Sequence, residues 1–198
     1  MNHIDIFELR REIVHIIAGI AFVIMVLFIP YAQFILFSVL ILGGFLSFLS
    51  TQYHIPVITR CLCLFERECN KTFPGKGVLF FFVSSLISLQ LFDRQVAIAS
   101  VLILTFSDPL SHFMGSNFGK TCLFTKRKYI EGTIVGILAG TFFAGFFVNP
   151  FVAFAGAFAA MFLEAVEIAM AGITIDDNLL IPLVAGTVMH FLILRFGI

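Results

Sequence analysis

The sequence predicts an all-α, polytopic membrane protein of about seven transmembrane helices with its N-terminus in the cytosol. Three observations carry this. Hydrophobic residues make up 60% of the chain and charged residues 12%, against about 25% charged in a soluble domain. The mean hydropathy is +1.08. The apolar residues gather into seven segments separated by short polar breaks.

The first segment is 13–29, stopped by Pro30, and the second is 32–50, stopped by Thr51-Gln52. The third, 78–92, closes at Asp93-Arg94. The fourth, 95–107, runs into Asp108-Pro109, and residues 110–118 extend it as a broken or kinked helix. The fifth is 133–148 before Asn149-Pro150, the sixth is 151–171 before Gly172, and the seventh is 179–196. The polar N-terminal stretch and the lack of a small-residue cleavage site after the first segment make that segment a retained helix. With the N-terminus in the cytosol, ten of the twelve Lys and Arg residues fall on the cytosolic side. Only Arg94 and Arg195 fall outside. The long polar loops, 51–77, 107–132 and 172–180, share the cytosolic face, which makes that face the expected location of the site in a single transmembrane domain.

Zero net charge gives no whole-chain attraction for nucleic acid. Cys61, Cys63 and Cys69 match no standard zinc spacing and, with Cys122, read as reduced thiols. A short interfacial helix is expected over Arg60–Cys69, and Phe73-Pro74-Gly75-Lys76-Gly77 reads as a turn into the third segment.

Chemistry concentrates in residues 107–132, where Asp108, His112, Gly115, Gly119, Lys120, Lys126, Arg127, Lys128 and Glu131 interrupt the apolar pattern. A carboxylate inside a span costs about 2.5–3.5 kcal/mol, so Asp108 is expected to be paired or functional. Gly115-x3-Gly119-Lys120-Thr121 is one residue short of a P-loop and follows no strand. Its glycines and Lys120 still suit phosphate oxygens. Lys126-Arg127-Lys128 suits phosphate or anionic lipid. Glu164 and Glu167 are i, i+3 and share a helix face, where they need cations, metal or protons. Asp176 and Asp177 with Asn178 open the seventh segment, as helix caps or as magnesium ligands. Arg11 and His15 are i, i+4 at the entrance of the first. Gly132, Gly136 and Gly140 form a close-packing face, as do Ala153, Gly156, Ala157 and Ala160, so the fifth and sixth helices are expected to touch and bring Glu164 near Glu131.

Taken together, these residues resemble the polyprenol kinase family: dolichol kinase, phytol kinase and CTP-dependent diacylglycerol kinase, related to phosphatidate cytidylyltransferases. The matching residues are Glu8, Arg10-Arg11, His15 and Gly19, then Phe73 to Gly77, then Asp108 through Gly115, Gly119 and Lys120. Lys128, Glu131-Gly132-Thr133, Glu164, Asp176-Asp177-Asn178 and Pro182 complete the set. Ser107 and Pro109 around the Asp, and Tyr129 after the Lys, depart from the family pattern. The resemblance implies CTP as phosphoryl donor and a membrane lipid alcohol as acceptor: a polyprenol such as dolichol, diacylglycerol or an isoprenoid alcohol. Mg2+ would be held by some of Asp108, Asp177 and Asn178, and phosphate by Lys120, Lys126 and Lys128 with Gly115 and Gly119. Asp108 or Glu131 would accept the hydroxyl proton. Further site candidates are Arg11, His15, Lys76, Glu164, Glu167 and Asp176.

Two rivals stay open: a lipid cytidylyltransferase using the same charges, and a small transporter. Apolar outer halves of the spans speak against the transporter. A purely structural subunit gives no reason for the acids to converge. Oligomeric state is open, a homo-oligomer included.

Overall fold

The computed structural model describes residues 6–53, 75–122, 128–166, 169–170, 173–174 and 176–197. Its helices are α1 (Ile6–Phe28), α2 (Ala32–Tyr53), α3 (Lys76–Leu91), α4 (Arg94–Phe118), α5 (Ile130–Ala144), α6 (Pro150–Val166) and α7 (Asp177–Phe196). Four helices contain stretches long and apolar enough to cross a membrane: Leu9–Phe28, Ala32–Ser50, Arg94–Phe118 and Asp177–Phe196. The other three are apolar but shorter, at 15 to 17 residues.

One boundary differs from expectation, and one extension is met. The fourth segment continues beyond Asp108, as expected. Helix α4 continues through Pro109 to Phe118, so Asp108 lies inside a 25-residue helix. The sixth does not run to residue 171. Helix α6 ends at Val166, and the apolar residues beyond it include an antiparallel pair, β1 (Ala169–Met170) with β2 (Ile173–Thr174). Hydropathy could not find this end, because a short apolar strand and a helix end are both apolar runs. The all-α class thus carries one two-stranded exception. The interfacial helix expected over Arg60–Cys69, with its three cysteines, lies outside the described residues.

Helix α4 is the axis of the bundle. From Val96 to Thr105 its side chains are all buried, and its one exposed large apolar residue is Phe118 at the end. Small residues let neighbours close on it. A Cβ on Gly132 of α5 would overlap the Ser111 carbonyl, and one on Gly19 of α1 would overlap the Thr105 side chain. The Gly132/Gly136/Gly140 face therefore packs chiefly on α4, where Gly136 approaches the Ser107 carbonyl and Gly140 the Ser107 hydroxyl. It also packs on α6, with Gly136 near Met161 and Gly140 near Ala157, so the expected contact between these two helices is made. The α6 small-residue face packs on α7 as well: Gly156 sits against Met189 and Ala185.

Gly75 adopts φ 82°, a left-handed turn that glycine takes without strain, and it starts α3. At the far end, Arg94 donates to the carbonyls of Val26 and Leu27, orphaned at the C-terminus of α1. Large apolar side chains such as Ile17, Ile24, Phe37, Ile41, Phe45 and Phe158 face outward, as lipid contact requires. The spans are less uniformly apolar than expected: Ser88 on α3 and Ser100 on α4, both toward the end away from Asp108, are buried hydroxyls.

Candidate functional site

The site forms at the end of the bundle where α4 and α6 meet the N-terminus of α7 and the loop before α5. The loop is closed by Thr121 and its neighbours. Ile130 N–H donates to the Thr121 carbonyl at 3.0 Å, and Cys122 pairs with Tyr129 as an isolated bridge. Glu131, in the first turn of α5, accepts from the Thr121 N–H at 3.2 and 3.3 Å. This clasp presents Lys128 inward, with its side chain 22% exposed.

Lys128 Nζ pairs with Glu164 Oε1 and lies 3.7 Å from Asp177 Oδ2. Asp108, Glu164 and Asp177 each offer an oxygen within 4.8 Å of the others. Three elements, α4, α6 and α7, thus supply one acid each. Burial works against the charge on Lys128, but the carboxylates, Glu164 first, then Asp177 and Asp108, outweigh it and raise its pKa above the ordinary 10.5. One ammonium offsets only one of three carboxylates. Glu164 is 1% exposed, and its Oε2 is buried with no hydrogen-bond partner. A hard-oxygen donor set with an orphaned buried oxygen fits a divalent cation such as Mg2+.

Of the expected ligand set, Asp108 and Asp177 lie in this grouping, together with Glu164, while the Asn178 side-chain amide donates to the Gly77 carbonyl at 3.3 Å. Asp176 is the N-cap of α7, its carboxylate accepting from Asn178 N–H at 3.1 Å. Glu131 is outside this grouping and is held by the Thr121 N–H instead. Hydrogen bonds from backbone amides, its own first and then those of Thr121 and Lys120, hold its pKa below the ordinary 4.5.

The remaining candidates fall around this core. His15 Nδ1 is 3.8 Å from Asp108 Oδ2, with its ring edge-on to Phe81. Arg11 is half-buried on α1. Lys76 Nζ sits 5.3 Å from the Phe80 ring centroid. Lys120 is exposed just past the end of α4. Gly119 N–H closes that end onto the Gly115 carbonyl at 3.0 Å, and both glycines pack against Tyr129. Close packing thus accounts for them as directly as phosphate approach does. Lys126 and Glu167 lie outside the described residues.

A cleft of about 60 Å3 opens beside the cluster, lined by Ser111, His112, Ser116, Lys128, Thr133 and Glu164 among others. It is phosphate-sized, well below the roughly 300–1,000 Å3 of a typical organic-ligand pocket. Sequence reasoning missed one pair here. Glu12, 7% exposed on α1, accepts from His112 Nδ1 on α4 at 2.8 Å. Glu12 stands one turn before His15 and His112 one turn after Asp108, so helical spacing already placed each on the site face.

No family model matches the sequence, and no solved structure matches it. The CTP-dependent diacylglycerol kinase 1 of Schizosaccharomyces pombe is 26% identical over 144 residues, 64% of each chain. The uncharacterized protein RP860 of Rickettsia prowazekii is 27% identical over 188 residues, 89% of this chain and 90% of that one. The uncharacterized protein MJ1137 of Methanocaldococcus jannaschii is 31% identical over 185 residues, 92% of this chain and 93% of that protein. At that identity and coverage, the chain belongs to the family of MJ1137.

Proposed function

We propose that this protein is a multi-pass membrane lipid-alcohol kinase that transfers the γ-phosphoryl group of CTP to a lipid hydroxyl at the cytosolic face. The observation that carries the reading is the convergence of Asp108, Glu164 and Asp177 around Lys128 at one end of an apolar bundle. The similarity to the CTP-dependent diacylglycerol kinase supports the same class.

Phosphoryl transfer asks chiefly for positioning and charge neutralisation. Asp108, Glu164 and Asp177 would hold the divalent cation, which when bound supplies positive charge to phosphate oxygens. Lys128, kept protonated by the three acids, moves between carboxylate and phosphate partners. Lys120, Lys126 and the backbone around Gly115 and Gly119 hold the remaining phosphates. Asp176 fixes the start of α7 and thereby Asp177; Asn178 ties that helix to Gly77. His15 and Arg11 set the charge around Asp108 from α1. The acceptor alcohol enters from the bilayer with its hydroxyl at the cleft.

The test is a panel of lipid alcohols (polyprenol, diacylglycerol, shorter isoprenoid alcohols) with labelled CTP or ATP in detergent, with and without Mg2+. Label from the γ-phosphate in lipid supports the kinase. Label from the α-phosphate with a phosphatidic acid acceptor identifies a cytidylyltransferase instead. No label in either case refutes both.

A further inference from the structure

The Glu12–His112 pair is used by none of the roles above, yet His112 lines the same cleft as Lys128 and Glu164. A buried carboxylate accepting from Nδ1 fixes the imidazole tautomer and makes Nε2 the proton-accepting nitrogen. Four groups that could take a proton from an alcohol near Lys128 are otherwise engaged. Asp108, Glu164 and Asp177 share the carboxylate cluster, and Glu131 is clasped to the Thr121 N–H. His15 is a further neighbour, but it does not line the cleft, and its Nδ1 faces Asp108.

We propose that Glu12 and His112 form a carboxylate–imidazole dyad in which His112 is the general base for the acceptor hydroxyl. This rests on the kinase reading above. The hydroxyl oxygen forms a bond to the γ-phosphorus, the bond from that phosphorus to the β-phosphate oxygen breaks, and CDP departs. The hydroxyl proton goes to His112 Nε2 and is later lost to water. Glu12 does not touch the substrate; it is a positioning residue that holds the ring and stabilises the imidazolium. The geometry favours this because one phosphate-sized cleft is bounded by a cation for the phosphoryl group and by the dyad for the attacking alcohol. Among the described residues, the charged groups around His112 include Glu12 from α1, Asp108 on its own helix, Lys128 from the loop before α5 and Glu164 from α6.

The test compares the full-length wild type with His112→Gln and Glu12→Gln in γ-labelled CTP transfer to the best lipid alcohol of the panel, with CTP binding measured in parallel. A general base contributes about 10²–10⁴-fold. His112→Gln is expected to lower kcat by that range with KM for CTP changed less than about threefold, and to remove the acidic limb of the kcat pH profile. Glu12→Gln is expected to lower kcat less and to displace that limb. Retained CTP binding shows that each variant is folded. Should His112→Gln fail to bind CTP, Glu12→Gln decides, since it preserves shape and a hydrogen-bond acceptor. Wild-type kcat and an unchanged pH limb in a variant that binds CTP overturn the dyad and leave the kinase standing. Absence of γ-label transfer by the wild type overturns both.

Discussion

Replacing Lys128 by Met tests the cluster most directly. Met keeps the length and apolar stem of the side chain and removes the charge. Glu164, at 1% exposure, then loses its ammonium partner, while Asp108 and Asp177 repel it at close range. Breaking a buried ion pair from one side costs about 3–5 kcal/mol. The half-exposed contact to Asp177 adds little, about 0–1 kcal/mol. At roughly 2–4 °C per kcal/mol for a chain of this size, the melting temperature in detergent should fall by about 6–24 °C. Two further arms isolate the cause. Adding Glu164→Gln to Lys128→Met should restore part of the loss, because the uncompensated charge is gone. A divalent cation at a hundredfold excess over its Kd stabilises by about 2.7 kcal/mol, and without the competing ammonium the shift should be larger in Lys128→Met than in wild type. A loss below about 1 kcal/mol, with equal cation shifts in both proteins, would refute the picture of three acids sharing one ammonium.

Other expectations follow from the same structure. Gly132→Ala pushes a methyl into the Ser111 carbonyl and should destabilise by about 1–3 kcal/mol in a melt. Gly44→Ala, with nothing within 4 Å of the added carbon, should be neutral or slightly stabilising. Because the pKa of Lys128 is raised, its contribution is fully present below 10.5 and is lost only as pH rises beyond that. The lowered pKa of Glu131 has the opposite sign: its contribution is present above 4.5 and disappears as pH falls through its lower folded value, so Glu131→Gln should blunt acid destabilisation there. Cys122 is an exposed free thiol. With Cys61, Cys63 and Cys69 replaced by Ser, a membrane-impermeant maleimide should label it only from the cytosolic side. Labelling from the other side would invert the proposed topology.

Local sequence was enough to find the helices, because hydropathy and length are properties of each segment alone. It was also enough to single out Asp108, Lys128, Glu164 and Asp177, since charges next to long apolar runs are costly and few. Where those charges go was a different matter. Asp177 and Asn178 were equivalent in sequence, and only the rotation of α7 aims one at Lys128 and the other at Gly77. The glycine- and alanine-rich faces of α5 and α6 do meet, as expected, but each also closes on a further helix, α4 for one and α7 for the other, because small-residue stripes encode close approach without encoding a single partner.

The sequence by itself therefore determined the class of the protein, the approximate helix set and the chemical inventory of the site, all set by composition and spacing along one chain. The tertiary structure alone decided which members of that inventory meet. It put Glu164 in the carboxylate cluster, turned Asn178 to Gly77 and left Glu131 out, and it joined Glu12 to His112 across 100 positions. Such pairings depend on how helices are rotated and matched around α4, and that follows from the packing of all of them at once.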